Sequence, residues 1–188
     1  MKKVILSISI VMITLTACNG SNKTPDAAKK EMVGVAAVQN TAPTFPIKEI
    51  LTNYLQLKNA LAKDNGKDAA AAANAIVAVL GKVDMTTLSK AEMKTYMDVA
   101  DDLKENAEHI GANAGKLEHQ REHFVMLSKD VADLIKTFGN GGQTLYKDYC
   151  PMANNGKGAV WISELKEIKN PYLGSKMLTC SSAKETFK

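Results

Sequence analysis

The sequence predicts an all-α domain, a four-helix antiparallel bundle with an irregular C-terminal tail that contains cysteine and methionine and packs on the bundle. Three observations predict this class. Apolar residues recur three and four positions apart between residues 46 and 139. Alanine runs are long and aromatic residues make up only 5% of the chain, which favours helix over sheet. A hydrophobic content of 45% and a charged content of 23% are ordinary for a globular domain.

Residues 1–17 have the pattern of an export signal. Lys2 and Lys3 precede an apolar run, Val4 to Leu15, that is too short to span a bilayer. The run ends in Leu15-Thr16-Ala17-Cys18, which resembles the lipobox of bacterial lipoproteins. That resemblance implies that Cys18 becomes the lipidated first residue of the mature chain. The alternative is an ordinary secretory signal that is followed by a chance cysteine.

The next segment, residues 18–45, is rich in Ser, Asn, Lys, Thr and Pro, and predicts a flexible tether before a domain over residues 46–188. Asn19 is not acidic, which favours the outer membrane, with the domain facing the periplasm. The formal net charge is only +4, and no basic stripe carries interleaved aromatics. We therefore expect a membrane partner through the lipid and no nucleic-acid partner.

Four helices are predicted within residues 46–139. The first begins at Pro46 and stops at Asn65-Gly66, and the second runs from about residue 68 to residue 80. Ser89-Lys90-Ala91-Glu92 is a capping box that opens the third helix. Glycines at 111 and 115 indicate a break near residues 113–116, and the fourth helix then continues to Gly139.

Polar residues interrupt the apolar seam at the start of the fourth helix. His119 and His123 are four apart and share a face, a spacing that can chelate a metal but is equally typical of a solvated pair. His109, beside Ile110, is a further candidate ligand. Arg121 is interpreted as an anchor for carboxylates or for the tail.

The sequence does not favour an enzyme. No serine, cysteine or paired carboxylate forms a plausible set of nucleophile and base. The segment Gly139-Asn140-Gly141-Gly142 lacks the lysine and hydroxyl of a nucleotide-binding loop. We therefore expect a non-enzymatic protein.

The tail carries two pairs of sulfur residues, Cys150 with Met152 and Met177 with Cys180. Thiolates and thioethers are the ligands that Cu(I) and other soft ions prefer. We therefore expect these four residues to converge on one ion. His123 is the expected nitrogen ligand, and His109 or His119 are the alternatives.

A disulfide is the other interpretation of the two tail cysteines. An exported chain is exposed to an oxidising compartment, where Cys150 and Cys180 can pair. Closing about thirty residues would stabilise the chain by roughly 3–4 kcal/mol on the chain-entropy model. The domain would then be a disulfide-stapled structural or interaction module of the envelope without a metal. The spacing by itself leaves both interpretations open.

Several motifs taken in order resemble the family known as domain of unknown function 3347, over about residues 47–185. They are Gln120-Arg121-x-His123-Phe124, Tyr149-Cys150-Pro151-Met152, Gly158-Ala159-x-Trp161, Asn170-Pro171-Tyr172-x-Gly174 and Met177-Leu178-x-Cys180. In that family the domain occurs as a small exported lipoprotein and also fused to adaptor proteins of copper and silver efflux pumps. The resemblance implies Cu(I) or Ag(I) as the ion and an efflux adaptor as a partner. The family usually has glycine where Ser181 stands.

Overall fold

The structure, a computed structural model, describes residues 45–188. The predicted signal peptide, Cys18 and all of the predicted tether except Phe45 lie outside the described residues. The helices and strands, in chain order, are α1 (Ile47–Ala62), α2 (Gly66–Leu80), α3 (Lys90–Ala112), α4 (Leu117–Phe138), β1 (Leu145–Cys150), β2 (Ala159–Ser163) and β3 (Ser182–Phe187).

The four predicted helices are confirmed, with the break between α3 and α4 at residues 113–116. Each helix packs on the next, and α4 also contacts α1, so the short connections fold the four into a bundle. The bundle core is apolar, and its fully buried side chains include Ile50, Leu57, Ile76, Leu103, Ile110, Phe124 and Leu127. Burial of these side chains is the main favourable contribution to folding.

The helix starts follow the local sequence signals. Asn65 accepts the backbone N–H of Asp68 at 3.1 Å and begins α2. The predicted capping box is confirmed: Ser89 N–H donates to the Glu92 carboxylate at 2.8 Å, and Glu92 N–H donates to the Ser89 hydroxyl at 3.3 Å. These bonds satisfy backbone donors that a helix start otherwise leaves free.

The predicted all-α class is wrong, because residues 145–187 contain a three-stranded antiparallel sheet. The strand order is β2-β1-β3, so the central strand β1 pairs with both neighbours. The 154–156 turn, in which Asn154, Asn155 and Gly156 have positive φ, precedes β2. The tail is thus a small ordered sheet on a helical domain rather than an irregular segment.

The sheet is held to the helices through β2, which packs on α4 and α1. Tyr54 of α1 links the layers, since its buried hydroxyl bonds the Ser128 hydroxyl at 2.8 Å and accepts the Ile162 N–H at 3.0 Å. Burial raises the pKa of Tyr54, so this phenol stays protonated and can hold both bonds. The sheet therefore has a fixed position on the bundle.

Phe45 belongs to the packed domain. Its ring stacks on Phe138 with the centroids 3.7 Å apart and meets Tyr96 edge-on at 5.5 Å. Residue 45 is therefore a domain residue, although the sequence places it in the tether.

Among residues 45–188, no helix combines the length and the apolar character needed to cross a membrane.

Candidate metal-binding sites

The structure brings the two tail cysteines together. Cys150 is the last residue of β1, and Cys180 comes two residues before β3, which pairs with β1. Their sulfurs lie 2.8 Å apart and are not bonded as a disulfide. Cys150 is fully buried, whereas Cys180 is partly exposed. Any ion or oxidant therefore reaches the pair from the Cys180 side.

The backbones of the two tail methionines adjoin Cys180. The backbone carbonyl of Met177 accepts a hydrogen bond from the Cys180 backbone N–H at 3.2 Å. The backbone amide of Met152 lies close enough to Cys180 to lower the pKa of its thiol. Both methionine side chains are exposed, Met152 by 54% and Met177 by 41%. The four predicted sulfur residues thus come from two segments that meet, with both thioethers accessible to solvent.

Protonation of the thiols limits what they can bind. The hydrogen bond with Cys150 raises the pKa of the Cys180 thiol, and burial raises it further. At neutral pH Cys180 is therefore a thiol, and a metal ion must displace its proton to bind the thiolate.

Asn170 holds the segment that carries Cys180. Its side-chain amide donates to the Cys180 carbonyl at 2.7 Å, and its side-chain oxygen accepts the backbone N–H of Tyr172 at 2.8 Å. The neighbouring Ser181, which stands where the resembled family has glycine, accepts the Tyr149 N–H at 3.3 Å. The serine therefore fits this turn and adds a bond to β1.

A second cluster lies where α3 ends and α4 begins. His109, His119 and His123 each offer a ring nitrogen, and these three nitrogens all lie within 4.8 Å of one another. The His109 and His123 rings are stacked, with centroids 4.3 Å apart and an interplanar angle of 7°. His119 meets His123 edge-on at 4.6 Å. This is a nitrogen-rich cluster on the bundle surface.

His123 is oriented by a hydrogen bond to Asn106. Its Nδ1 lies 2.9 Å from the Asn106 side-chain oxygen, and the Asn106 amide donates to the Asp102 carbonyl at 2.7 Å. Burial lowers the pKa of His123, and the nearby His109 and His119 lower it further. This environment favours the neutral imidazole, which is the form that ligates metals.

The predicted single site divides into two clusters in the structure. His123 was expected to complete the shell of the sulfur residues, but it lies with His109 and His119, and neither cysteine belongs to that group. The sulfur residues gather at the sheet, whereas the histidines belong to the α3–α4 hairpin. Sequence reasoning missed Asn106, whose only signal is its position one helical turn before His109.

Arg121 is an anchor, as its position in the seam predicts. Its guanidinium donates to the Pro171 and Leu61 carbonyls, both at 2.8 Å, and to the Asp64 carboxylate at 2.5 Å. The planar group thus ties α4 to the end of α1 and to the turn before Cys180. Hydrogen bonds from Ser175 and Arg121 lower the pKa of Asp64 to about 2, so this ion pair is formed at neutral pH.

Asp130 is a buried carboxyl elsewhere on α4. Burial raises its pKa to about 6, and the nearby Asp102 adds to the shift. Among the described residues, its Oδ2 atom has no hydrogen-bond partner. Asp130 is not a member of the histidine cluster found among the described residues.

Comparison with known protein families identifies the family of the chain. The model of the family described as a protein of unknown function (DUF3347) matches residues 50–143, which is half of the chain. The match includes all three histidines, whereas the sulfur motifs after residue 143 lie beyond it. No curated protein and no solved structure matches the chain. On its sequence match across the helical bundle, the chain belongs to the family described as a protein of unknown function (DUF3347).

Proposed function

We propose that this protein is a non-enzymatic, lipid-anchored metal-binding module of the cell envelope that captures or buffers Cu(I) or Ag(I). The observation that carries the proposal is the meeting of Cys150 and Cys180, thirty residues apart in sequence, with their sulfurs at 2.8 Å. Met152 and Met177, which belong to the two segments that carry these cysteines, add exposed thioether side chains. Thiolate and thioether donors select soft monovalent ions over harder ones.

The burial of the pair suits a monovalent soft ion. Cys150 is fully enclosed, and a buried thiolate without a cation is costly. A bound Cu(I) or Ag(I) supplies that charge while the thiols release their protons. Since the sulfurs lie too close to admit an ion between them, Cys180 must move outward, and its partial exposure leaves room for this.

The module is proposed to deliver the captured ion to an efflux adaptor protein. This role is supported by the resemblance to a family whose domain is also fused to copper and silver efflux adaptors. The exposed side chains of Met152 and Met177 offer an exit path in which ligands of a partner replace those of the module one at a time.

A disulfide-stapled interaction domain is the second candidate function, and the same sulfur geometry favours it. Thiols 2.8 Å apart need little movement to become a disulfide in an oxidising compartment. The bond would join the end of β1 to the segment that leads into β3. The sheet would then be fixed as a docking element without any metal.

A competition titration of the fully reduced chain against a Cu(I) chelator tests the metal site. Because removing even an outer partner of a ligand costs about 10–100-fold in affinity, Cys150→Ser should weaken Cu(I) binding by at least about 100-fold. Met152→Ala should weaken it less, and Met97→Ala, which truncates an exposed methionine on α3, is the matched control and should change nothing.

Equal, weak competition by the wild type and by Cys150→Ser would overturn the metal proposal. A count of free thiols in the chain without added reductant then tests the disulfide-stapled interaction domain. That alternative requires that neither Cys150 nor Cys180 react with a thiol reagent until a reductant is added.

The lipid anchor is tested on its own. Its support is the apolar run before Leu15-Thr16-Ala17-Cys18. Cys18→Ser should move the protein from the membrane fraction to the soluble periplasmic fraction, because the variant lacks the acyl chains that would hold it at the bilayer. Unchanged membrane association and processing of the variant would show that Cys18 is not the anchor. The outer membrane, with the domain facing the periplasm, is the proposed location.

A further inference from the structure

The histidine cluster is built from two helices that meet at one end. His109 lies in the last turn of α3, and His119 and His123 occupy successive turns of α4. The 113–116 turn folds the helices back on each other, so residues from both sides reach the same spot. All three histidines of the chain are in this cluster.

We propose that His109, His119 and His123 form a second metal site that binds a borderline divalent cation of the Zn²⁺ class through nitrogen alone. The site acts independently of Cys150 and Cys180. It goes beyond the proposed function, because it uses different residues, a different donor chemistry and an ion of different charge.

The orientation of His123 is the first argument. Because the Asn106 amide donates to the Asp102 carbonyl at 2.7 Å, the Asn106 oxygen is the atom that faces His123 at 2.9 Å. His123 must then carry its proton on Nδ1, which leaves the Nε2 lone pair available for an ion. A hydrogen bond that fixes the tautomer of a ligating histidine is the usual companion of a metal site.

The distances are the second argument. Ligand nitrogens around a tetrahedral Zn²⁺ lie about 3.3 Å apart, as Zn–N bonds of 2.0–2.1 Å require. The cluster spans up to 4.8 Å, so the rings must close by about 1.5 Å. The side chains of His109 and His119 are 46% and 37% exposed, so they are free to turn inward on His123. His109 must also tilt out of its stack on His123.

The surrounding charge is the third argument. The carboxylate of Glu105 lies 3.8 Å from His109 Nε2, and that of Glu122 lies 3.4 Å from His119 Nδ1. These carboxylates place negative charge beside the three imidazoles, which favours a divalent cation over an uncharged ligand. Either carboxylate can rotate to accept a hydrogen bond from a ligating ring.

The donor set selects the class of ion. Imidazole nitrogen suits Zn²⁺, Cu²⁺ and Ni²⁺, whereas Cu(I) and Ag(I) prefer the sulfur ligands at the sheet. Three protein ligands also leave a fourth position of a tetrahedral ion open. The site is therefore suited to holding an exchangeable ion, with water or a ligand from another molecule completing the shell.

Titration of the full chain with Zn²⁺, without a polyhistidine tag, tests this proposal. A Cys18→Ser, Cys150→Ser, Cys180→Ser background removes all three cysteine thiols of the chain, so that the histidines remain as the strong ligands. We expect one Zn²⁺ per chain by equilibrium dialysis. In proton NMR, the imidazole signals of all three histidines should shift together, and no other histidine contributes signals.

Substitutions assign the binding. His109→Ala, His119→Ala and His123→Ala should each weaken Zn²⁺ binding by at least about 100-fold, and Asn106→Ala by about 10–100-fold. Asn53→Ala is the matched control, because Asn53 makes the same bond to the carbonyl four residues earlier but lies on α1. It should leave the affinity unchanged.

The proposal is overturned if Zn²⁺ binding survives His123→Ala, or if the imidazole signals do not move when Zn²⁺ is added. Loss of Cu(I) binding in the cysteine variants does not affect this test, and loss of Zn²⁺ binding in the histidine variants does not affect the Cu(I) titration. Each of the two proposed sites can therefore be refuted without affecting the other.

Discussion

Trp161→Ala is expected to lower the free energy of unfolding by about 3–5 kcal/mol. Trp161 is the largest fully buried side chain of the domain and lies in β2, the strand that packs on α4 and α1. Its ring meets Tyr172 edge-on, with the centroids 5.9 Å apart. Alanine would leave a cavity between the sheet and the helices, and the loss of contacts would extend to the turn that carries Tyr172.

Two neighbouring variants make this prediction specific. Among the described residues, the Trp161 indole N–H has no hydrogen-bond partner. Trp161→Phe should therefore cost much less than Trp161→Ala, since it keeps most of the ring and removes an unpaired donor. Val160→Ala, on the partly exposed face of the same strand, should cost about 1 kcal/mol or less.

Urea unfolding followed by far-ultraviolet circular dichroism measures these losses, because the variants at position 161 remove the only tryptophan that fluorescence could follow. A loss for Trp161→Ala no larger than that for Val160→Ala would show that the sheet is not packed on the helices as described.

Glu164→Ala is expected to cost about 3 kcal/mol, since it leaves a buried ammonium group without its main partner. Lys58 is fully buried, and its Nζ donates to the Glu164 carboxylate at 2.8 Å and to the Ser163 hydroxyl at 3.3 Å. Asn59 donates to the second Glu164 oxygen at 2.7 Å. The variant breaks the polar link between α1 and the end of β2.

Glu167→Ala is the matched control. Its ion pair with Lys169 has the same 2.8 Å distance, but the Lys169 side chain is 33% exposed, whereas that of Lys58 is fully buried. An exposed pair contributes about 1 kcal/mol or less. Equal losses for the two alanine variants would contradict the burial argument, because distance alone would then account for both.

The loss caused by Glu164→Ala should also depend on pH. Burial raises the pKa of Glu164, but the hydrogen bonds from Asn59 and Lys58 outweigh it, and the net result is a lowered pKa. A carboxylate with a lowered folded-state pKa contributes stability above its unfolded pKa and loses that contribution as the pH falls through its folded pKa. The difference between wild type and variant should therefore be full at neutral pH and shrink in acid.

The helical half of the domain was predictable from local signals. The Ser89–Glu92 capping box and the glycines near residue 113 act within one or two helical turns, so the sequence alone determines them. The place of Arg121 was also predictable, because a charged residue in an apolar seam must find buried partners. Its bonds to the Pro171 and Leu61 carbonyls meet that requirement.

The sheet was not predictable in the same way. Five of the six residues of β3 are exposed, so this strand has no apolar periodicity that a sequence could reveal. It exists because β1 offers it a row of backbone hydrogen-bond partners, and such pairing depends on residues about forty positions apart. Short apolar runs such as Val160-Trp161-Ile162 also fit a helix or a strand equally well.

The candidate sites show the same division. The sequence determined which residues carry metal-ligating atoms, and the spacing of His119 and His123 placed both on one helical face. Only the tertiary structure decided how the ligands divide, because His109 reaches them through the α3–α4 hairpin and Cys180 reaches Cys150 through the pairing of β3 with β1. A side chain's chemistry is local, whereas its neighbours depend on how distant segments of the chain fold together.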